Sequence, residues 1–525
     1  MRSVFLVAAL AAATSAPAFD RSVSLEVLGT YESGIFDEGA AEIVAYDAPT
    51  RRAFVVNAND QTVDVLDISD PSQPALFGSI DVTQAAPDLG PANSVDVAKG
   101  ILAVAIENDD KQANGIVAFY DTSSLALLGT VAAGALPDMV TFTKDGKTAL
   151  VANEGEPNDE YTVDPEGSVT IIDLSDGVSN ATARTADFRR FNSKKDKLIA
   201  AGVRIFGPNA TVAQDLEPEY IALNASEKLA YVVMQEANAI AVVNVRRARV
   251  VRILPLGTKD HSLPGNELDA SNRDDAINIT NWPVQGLYLP DAIASFNLFG
   301  KSYFLTANEG DSRDYDGFSE EERVEDVTLD PNAFPNAAEL QDEANLGRLK
   351  ITNTLGDADG DGRFEELYSY GGRSFSIFDA RGNLVFDSGS DFEYITAAFD
   401  ADNFNSTNDE NDSFDNRSDD KGPEPEGVTV GWIWGRAYAF VGFERVGGIA
   451  VYDVTNPHAP RFETYVNNRD FSVADPTDPA VGDLGPEGLR FVPWYLSPNY
   501  RPLLIVGNEV SGTTTIYQVG VSFGR

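Results

Sequence analysis

Short apolar strands recur along the chain in a fixed order. Each repeat opens with a carboxylate, often directly after proline, and continues into an apolar strand. A second apolar strand then ends in Asn-Glu or a related pair, and a third ends in an acidic or amide residue. Such β-branched and aromatic runs, bounded by Gly, Pro, Asn and Asp, are typical of strands joined by turns. The copies begin at Glu42, Asn93, Pro137, Pro218, Pro290, Pro425 and Pro486.

A fourth strand with glycine near its end follows several copies, as at Ala75–Gly78 and Ala126–Gly129. Four strands per repeat around a channel is the β-propeller architecture. The pattern therefore predicts an all-β fold, a seven-bladed β-propeller. The last copy ends after its third strand, and Ser24–Gly29 resembles a fourth strand. We expect this N-terminal strand to close the ring, because closure removes an exposed sheet edge.

Three insertions interrupt the repeats, at about residues 188–206, 260–290 and 311–373. The first contains a predicted short helix over Lys194–Ala201, and the third contains one over Asn336–Ala344. The second is rich in Asn and Asp and is predicted to be a loop. Loop residues of this kind, rather than the blades, are where variable function is expected.

The first residues predict a secretory signal peptide over residues 1–18. A positively charged start is followed by the apolar run Val4–Ala13, and Ala16-Pro17-Ala18 forms a small-x-small cleavage site. Residues 19–525 would then form a single propeller domain. No other stretch reaches the roughly 18 to 20 apolar residues of a transmembrane helix. We expect a secreted monomer, extracellular or periplasmic, without a membrane span, and ending at Arg525 without an anchor of its own.

Charge narrows the possible partners. The chain has 39 Lys and Arg residues against 82 Asp and Glu residues, a formal net charge of −43, and no cysteine. This balance argues against nucleic acid and anionic membranes, which attract basic proteins. Stability must come from a large core or from bound ions rather than from disulfides.

Two sets of carboxylates are predicted to converge at one end of the propeller channel, because first and second strands are antiparallel. The strand-entry set comprises Glu42, Asp138, Glu219, Asp291, Glu426 and Glu487. The strand-exit set comprises Glu107, Glu154, Glu236, Glu309, Glu444 and Glu509. Clustered carboxylates must take up protons or bind a cation, and Ca²⁺ accepts six to eight oxygen ligands. Alternatively, the entry residues cap turns and the exit residues bond to neighbouring backbone.

A second candidate calcium site is Asp357-Ala358-Asp359-Gly360-Asp361-Gly362, which matches the opening of an EF-hand loop. Its twelfth position is Tyr368, so Glu365 or Glu366 would have to complete the ligand shell; the alternative is a glycine-rich turn. The predicted calcium ligands are Asp138, Glu154, Glu219, Asp291, Glu309, Asp311, Asp357, Asp359, Asp361, Glu426, Glu487 and Glu509. Zinc is disfavoured, because the chain has no cysteine and only His261 and His458.

Several longer strings point to a family. They are Val151–Pro157, Lys259–Asp269, Thr306–Phe318, Arg373–Asp379 and Lys421–Gly427. On these strings the chain resembles the choice-of-anchor I family of secreted bacterial propellers. Some relatives carry an alkaline-phosphatase label, and the family is similar to phytase-like propellers, which use calcium at the channel rim to hold phosphate and activate water. The resemblance implies a calcium-dependent phosphomonoesterase.

Two functional hypotheses follow. In the first, Ca²⁺ at the acidic rim polarises a small phosphoester substrate and supplies hydroxide. The phosphate of the substrate would bind to cationic side chains in the insertions, namely Lys259, Arg313, Arg373, Arg417 and Lys421. Alternatively, these cations pair with adjacent acids. In the second, the protein is a non-catalytic surface or matrix propeller that binds an extracellular partner and uses calcium for rigidity. The absence of a recognisable nucleophile and the predominance of acids favour the second hypothesis, whereas the phosphatase label on relatives favours the first, which is the function that we expect.

Overall fold

The strand repeat folds into seven antiparallel four-stranded sheets. A computed structural model describes residues 21–523 of the chain, so the predicted signal peptide and its cleavage site lie outside the described residues. Within that range each of the seven sheets follows chain order from its first to its fourth strand, except that the fourth strand of the last sheet comes from the N-terminus.

The first four sheets are regular. Sheet 1 contains Val44–Asp47, Arg52–Asn57, Thr62–Asp67 and Ala75–Asp81; sheet 2 contains Leu89–Ala98, Ile101–Asn108, Asn114–Asp121 and Leu127–Ala135; sheet 3 contains Pro137–Phe142, Thr148–Asn153, Ser168–Asp173 and Thr182–Asp187; sheet 4 contains Ile221–Leu223, Leu229–Met234, Ala239–Asn244 and Arg249–Pro255.

The remaining three sheets include the long insertion and the chain termini. Sheet 5 contains Ile293–Leu298, Lys301–Asn308, Ser374–Asp379 and Leu384–Asp387; sheet 6 contains Pro425–Ile433, Arg436–Phe443, Ile449–Asp453 and Arg461–Val466; sheet 7 contains Pro486–Val492, Leu503–Asn508, Thr513–Phe523 and Arg21–Glu32. The N-terminal strand thus pairs antiparallel with the C-terminal one, from Arg21 opposite Phe523 to Glu32 opposite Thr513.

The first strands lie side by side. Each contacts the first strand of the next sheet, and that of sheet 7 contacts that of sheet 1. Between neighbouring sheets lie clusters of buried hydrophobic side chains, one for each of the seven gaps. In the gap between sheets 4 and 5, for example, Tyr231 stacks on Phe304 with ring centroids 3.8 Å apart. Burial of apolar area between the sheets is the main stabilising contribution in this fold.

The second and third insertions differ from the prediction. They join in a mixed five-stranded sheet formed by Thr258–Asp260, Gln285–Leu287, Tyr368–Ser369, Lys350–Thr352 and Glu321–Arg323, with a two-stranded ribbon at Asp314–Tyr315 and Phe318–Ser319. This unit has its own core, which includes Leu268, Val324 and Ile351. The region from 260 to 290 is therefore not a plain loop, because its apolar residues pack against the third insertion.

Helices are few and short. They span Lys195–Ile199, Val212–Asp215, Ala337–Leu340 and Asp391–Phe399, and short 3₁₀ turns lie at Val82–Gln84, Val178–Asn180, Arg189–Lys194, Val245–Arg247, Ala401–Asn403 and Pro479–Val481. The helix predicted over Asn336–Ala344 is a single turn, since the amide of Leu346 folds back onto the carbonyl of Leu340. The helix at Asp391–Phe399 belongs to a fourth insertion, residues 388–424, which the repeat pattern did not reveal.

Candidate functional site

The two carboxylate sets lie at one end of the sheets, which we call the acidic rim. In sheet 3, Pro137 at the start of the first strand faces Asn153 at the end of the second, so Asp138 and Glu154 are neighbours. Sheets 6 and 7 repeat this register, with Pro425 opposite Phe443 and Pro486 opposite Asn508. The structure therefore brings the entry and exit carboxylates together, as expected from antiparallel strands.

Two features of the backbone aim the entry carboxylates inward. The register shifts directly after the proline in the first strands of sheets 3, 6 and 7, and such bulges re-aim side chains. Glycine then allows neighbouring first strands to approach closely. A Cβ on Gly427 would lie 2.0 Å from the carbonyl oxygen of Glu487, and one on Gly488 would lie 2.4 Å from that of Glu42.

Burial makes the charged form of these carboxylates costly. It raises the pKa of Asp138 to about 7, with Glu156 and Glu107 adding to the shift. It raises the pKa of Glu42 to about 9, where Glu509 is the strongest charged neighbour. Burial followed by repulsion between carboxylates also raises the pKa well above the ordinary range in Glu154, Glu219, Asp291, Glu426 and Glu487.

Several rim oxygens have no hydrogen-bond donor within residues 21–523. The buried Oε2 atoms of Glu219, Glu236, Glu426 and Glu487 are all in this state. Glu219 is only 6% exposed. Beside these residues a cavity of about 60 Å³ is lined by Asp138, Asp291 and Glu487. Glu487 both lines this small cavity and has an oxygen without a donor, and buried carboxylate oxygens of this kind suit a hard cation.

One part of the rim is already neutralised by protein cations. Oxygens of Glu309, Glu424 and Glu444 lie within 4.8 Å of one another. Lys421 Nζ donates to Glu309 Oε1 at 2.6 Å, and Arg445 Nε donates to Glu424 Oε2 at 2.6 Å. Lys421, Arg417 and Arg445 together hold the pKa of Glu424 below its usual range despite its burial. This cluster is an ion-pair network that does not require a metal.

Asp311 belongs to the same network. Its carboxylate lies 3.4 Å from Lys421 Nζ and its side chain is 58% exposed, so it faces solvent beside the buried pair of Lys421 and Glu309. Gln235 Nε2 also donates to Glu309 Oε2 at 2.8 Å. Among the predicted calcium ligands, Glu309 and Asp311 are thus the two that a lysine already engages.

The five predicted phosphate-binding cations all have partners. Lys259 Nζ donates to the carbonyls of Gly372 and Gly389 at 2.8 and 2.5 Å, and its nitrogen lies 3.1 Å from Asp387 Oδ1. Arg373 pairs with Glu393 at 2.6 Å. Both side chains are at most 4% exposed.

The other three cations are held in the same way. Arg313 binds Asp215 and donates to Glu217 Oε2 at 2.6 Å, with a side chain 1% exposed. Arg417 pairs with Glu424 and with Asp420, the latter at 2.9 Å, and Lys421 is the rim lysine described above. The geometry therefore matches the alternative reading of these residues, pairing with acids, although most partners are distant in sequence.

The EF-hand-like segment forms a compact loop. Ligand oxygens of Asp357, Asp359, Asp361 and Glu365 lie within 4.8 Å of one another. Asp357 accepts the amides of Gly360 and Gly362 at 2.8 and 2.9 Å, which fixes the turn. Glu365 is the residue that completes this set.

Glu366 is engaged elsewhere, since the hydroxyl of Tyr368 donates to its Oε2 at 2.5 Å. Of the two glutamates, Glu365 is therefore the one that lies with the three aspartates and could complete the ligand shell. The donor set of four carboxylates suits Ca²⁺.

Sequence reasoning missed several residues of these networks. Glu424 precedes Pro425 in the string Lys421–Gly427, but the repeat pattern starts at the proline. Arg445 follows Glu444 directly, and its role depends on the return of residues 417–424 to the rim. Asp215 and Glu217 both precede the first strand of sheet 4, and the repeat pattern gave no indication of their role.

These sheets, joined through their first strands around an acidic axis, define the chain as a β-propeller protein. Among the described residues, no helix is both long and apolar enough to cross a membrane. The choice-of-anchor I domain matches residues 42–457. The chain therefore belongs to the choice-of-anchor I family, which confirms the resemblance found in the sequence.

Two curated relatives match parts of the chain. Gigasin-3a of Magallana gigas is 32% identical over 190 residues, which cover 34% of this chain and 66% of the relative. A mesenchyme-specific cell surface glycoprotein of Strongylocentrotus purpuratus is 30% identical over 288 residues, 47% of this chain and 36% of the relative. The chain thus spans just under two thirds of the first relative and about a third of the second.

Solved structures share the general architecture at low identity. Kuenenia stuttgartiensis hydrazine synthase is 11% identical with a TM-score of 0.45, covering 93% of this chain and 99% of its own. A streptogramin B lyase is 10% identical with a TM-score of 0.44, covering 95% and 98%. Likenesses at this level carry no functional argument.

Proposed function

We propose that this chain is an extracellular, calcium-binding, seven-bladed β-propeller that acts as a surface or matrix binding protein. The observation that carries the proposal is the set of buried rim carboxylates, four of which have an oxygen without a donor among residues 21–523 and one of which, Glu487, also lines the small rim cavity. Calcium would replace the protons that these groups otherwise need, and so make the axis rigid. The extracellular location is supported by the family and by the cell-surface relative.

The seven sheets are, in this proposal, the seven blades of one closed ring. Three observations support closure: the strand Arg21–Glu32 pairs with Thr513–Phe523, the first strands return to sheet 1, and a hydrophobic cluster fills each of the seven gaps. A closed ring holds the entry carboxylates at a fixed separation, which an ion site requires.

The binding role is favoured over hydrolysis by the state of the cations. A phosphomonoesterase needs positive groups that can turn to a phosphate. Lys259, Arg313 and Arg373 are each at most 4% exposed and paired with internal acids. Withdrawing any of them from its partner would leave a buried carboxylate uncompensated.

Hydrolysis of phosphoesters is the second candidate. It is favoured by the position of Asp311, which is exposed at the rim beside Lys421 and would let a metal there meet a substrate. Turnover of a chromogenic phosphomonoester, with calcium and after its removal, tests this role directly. Calcium-dependent turnover lost in Asp311→Asn would establish the hydrolase and displace the binding role.

The calcium site is tested by thermal unfolding in calcium-free buffer and in millimolar calcium, at fixed high ionic strength. A ligand that binds only the folded state adds about 2.7 kcal/mol when it is a hundredfold above its Kd, so we expect a clear rise in Tm. The double variant Glu219→Gln/Glu487→Gln should lose the part of the Tm rise that is due to calcium at the acidic rim. The double variant Asp357→Ala/Asp359→Ala should lose the part that is due to calcium in the loop. Glu322→Gln, a change at an exposed carboxylate, is the control. Equal Tm values with and without calcium would refute the proposal.

A further inference from the structure

The end of the sheets opposite the acidic rim carries a group of exposed aromatic side chains, which we call the aromatic platform. It comprises Trp434, Trp494, Tyr495 and Tyr500, which are 64%, 46%, 63% and 73% exposed. Trp434 lies in the turn between the first two strands of sheet 6, and the other three lie in the corresponding loop of sheet 7, residues 493–502. Large apolar groups exposed together mark an interaction site.

Three of the rings are in contact with one another. Trp434 and Trp494 are parallel to within 9°, with centroids 6.5 Å apart. Tyr495 stands edge-on to Trp494 at 5.8 Å. Trp432, two residues before Trp434, is 43% exposed and lines a cavity of about 430 Å³ with Thr141, Ser295 and Asn297. The aromatic rings thus lie near a pocket whose polar lining provides hydroxyl and amide groups and the charged side chains of Lys144 and Glu227.

The loop that carries Trp494 is held in place. Tyr46 donates its hydroxyl to the carbonyl of Leu496 at 3.0 Å. The amides of Leu496 and Ser497 both donate to the carbonyl of Pro493, at 2.9 and 3.1 Å. A surface ordered before binding loses less conformational entropy when a ligand arrives.

The turn that carries Trp434 recurs in other sheets. Trp434 has φ of 50° and Gly435 has φ of 82°. Two-residue turns of this kind favour Asn-Gly or Asp-Gly, because bulky side chains disfavour the left-handed region. Lys99-Gly100 and Phe299-Gly300 adopt the same conformation in sheets 2 and 5, so what distinguishes this turn is the second tryptophan, Trp494, beside Trp434.

The charge and area of the platform indicate the ligand. The loop 493–502 contains no acid and one arginine, in a chain of net charge −43. An anionic polymer would therefore gain little electrostatic attraction at the platform and would be repelled by the rest of the chain. The exposed area of the four rings is about 500 Å², taking about 200 Å² per side chain. A stable dimer buries about 800 Å² per partner. The patch is therefore small for a protein partner, whereas the C–H faces of a few hexopyranose units would cover it.

We propose that the aromatic platform binds a neutral polysaccharide, with sugar rings stacked on Trp434 and Trp494 and hydroxyl groups directed to the neighbouring polar pocket. The site lies at the opposite end from the calcium sites and does not depend on them. Binding should therefore persist in the Asp357→Ala variant under conditions where that variant is folded.

Affinity gel electrophoresis tests this against soluble neutral glycans, namely a β-1,3-glucan, a mannan, a xylan and amylopectin, with alginate as the anionic comparison. We expect retardation by at least one neutral glycan and quenching of tryptophan fluorescence by the same polymer. Trp494→Ala and Trp434→Ala should each weaken binding about tenfold, which corresponds to ~1.4 kcal/mol.

Phe299→Ala is the matched control, because Phe299 is a fully exposed aromatic in the equivalent turn of sheet 5, also followed by glycine at positive φ. It should leave binding unchanged, and all variants should melt like the parent. Three results would each overturn the proposal: no neutral glycan retards the chain, alginate binds more tightly than every neutral glycan, or the tryptophan variants bind as the parent does. A dimer in light scattering that dissociates in Trp494→Ala would also overturn it, in favour of self-association.

Discussion

Arg313 is a buried guanidinium whose two carboxylate partners come from a segment about a hundred residues earlier. Its Nη2 donates to Glu217 Oε2 at 2.6 Å and to the carbonyl of Asp215 at 3.2 Å. The side chains of all three residues are at most 1% exposed. At this scale the acidic chain is stabilised by a few well-placed cations, each compensating more than one carboxylate.

Replacing this arginine should therefore be costly. We expect Arg313→Met to lower the free energy of unfolding by about 3–5 kcal/mol, because it leaves buried acids uncompensated. Arg189→Met is the control: Arg189 pairs with Glu166 at 2.5 Å but is 69% exposed, so its loss should lower the free energy of unfolding far less. Urea unfolding measures both, and equal losses would contradict the importance of burial.

The loop at Asp357 makes a separate prediction. Terbium should bind in place of calcium, and Tyr368, which donates to Glu366 beside the loop, should sensitise its luminescence. Asp357→Ala should remove the signal because binding is lost. Glu365→Gln should weaken binding, and Glu366→Gln should leave it unchanged if Glu365 is the closing ligand. Equal effects of the two glutamate changes would contradict that assignment.

At the scale of elements, the N-terminal strand connects two ends of the chain that are about five hundred residues apart. Val23 and Leu25 are 3% and 8% exposed and pack in the cluster between sheets 6 and 7. Thr30 and Thr515 face each other across the paired strands, and their hydroxyl oxygens are 2.9 Å apart. The C-terminal strand is therefore covered by the N-terminal one rather than left as an edge.

Disrupting this strand should expose that edge. Leu25→Asp places a carboxylate in the cluster and should cost at least about 2–5 kcal/mol, the range for loss of a buried leucine. Exposed strand edges promote association, so we also expect soluble oligomers in size-exclusion chromatography. Ser24→Asp, on the exposed side of the same strand, should stay monomeric and stable; a similar loss in both variants would argue against a closing role for the strand.

At the scale of the whole molecule, the acidic rim links stability to pH and, in the function proposed above, to calcium. The pKa of Asp138 is raised to about 7 and that of Glu42 to about 9, so their protonated forms favour the folded state. Their contribution is complete below the unfolded pKa of about 4 and is lost as pH rises through the folded values. Below about pH 4 the trend reverses, because exposed acids such as Asp121, whose pKa Ser123 and Ser124 lower to about 2, become protonated.

In calcium-free buffer we therefore expect the Tm to fall from about pH 5 to about pH 9. Calcium competes with the same protons, so its stabilising effect should grow over that range and binding should release protons. Calorimetry in buffers of different ionisation enthalpy measures the release. A Tm that is independent of pH over this range, with no proton release on calcium binding, would contradict the link.

The sequence by itself determined what depends on neighbours along the chain. Alternation of apolar residues predicted the strands, and the spacing of Asp357, Asp359 and Asp361 predicted a loop whose carboxylates converge, since nine residues suffice to bring them together. The same reasoning placed the entry and exit carboxylates at one end of each sheet, because hairpin geometry is local.

Only the tertiary structure decided which acids have cationic partners. Lys421 reaches Glu309 across 112 residues, and Arg313 reaches Glu217 across 96. These separations are set by the way the insertions pack, which strand periodicity does not encode. The same packing formed the five-stranded sheet from the second and third insertions and brought Trp434 parallel to Trp494. Local patterns identify an element, but long-range burial decides the charge state of a site and therefore what it can bind.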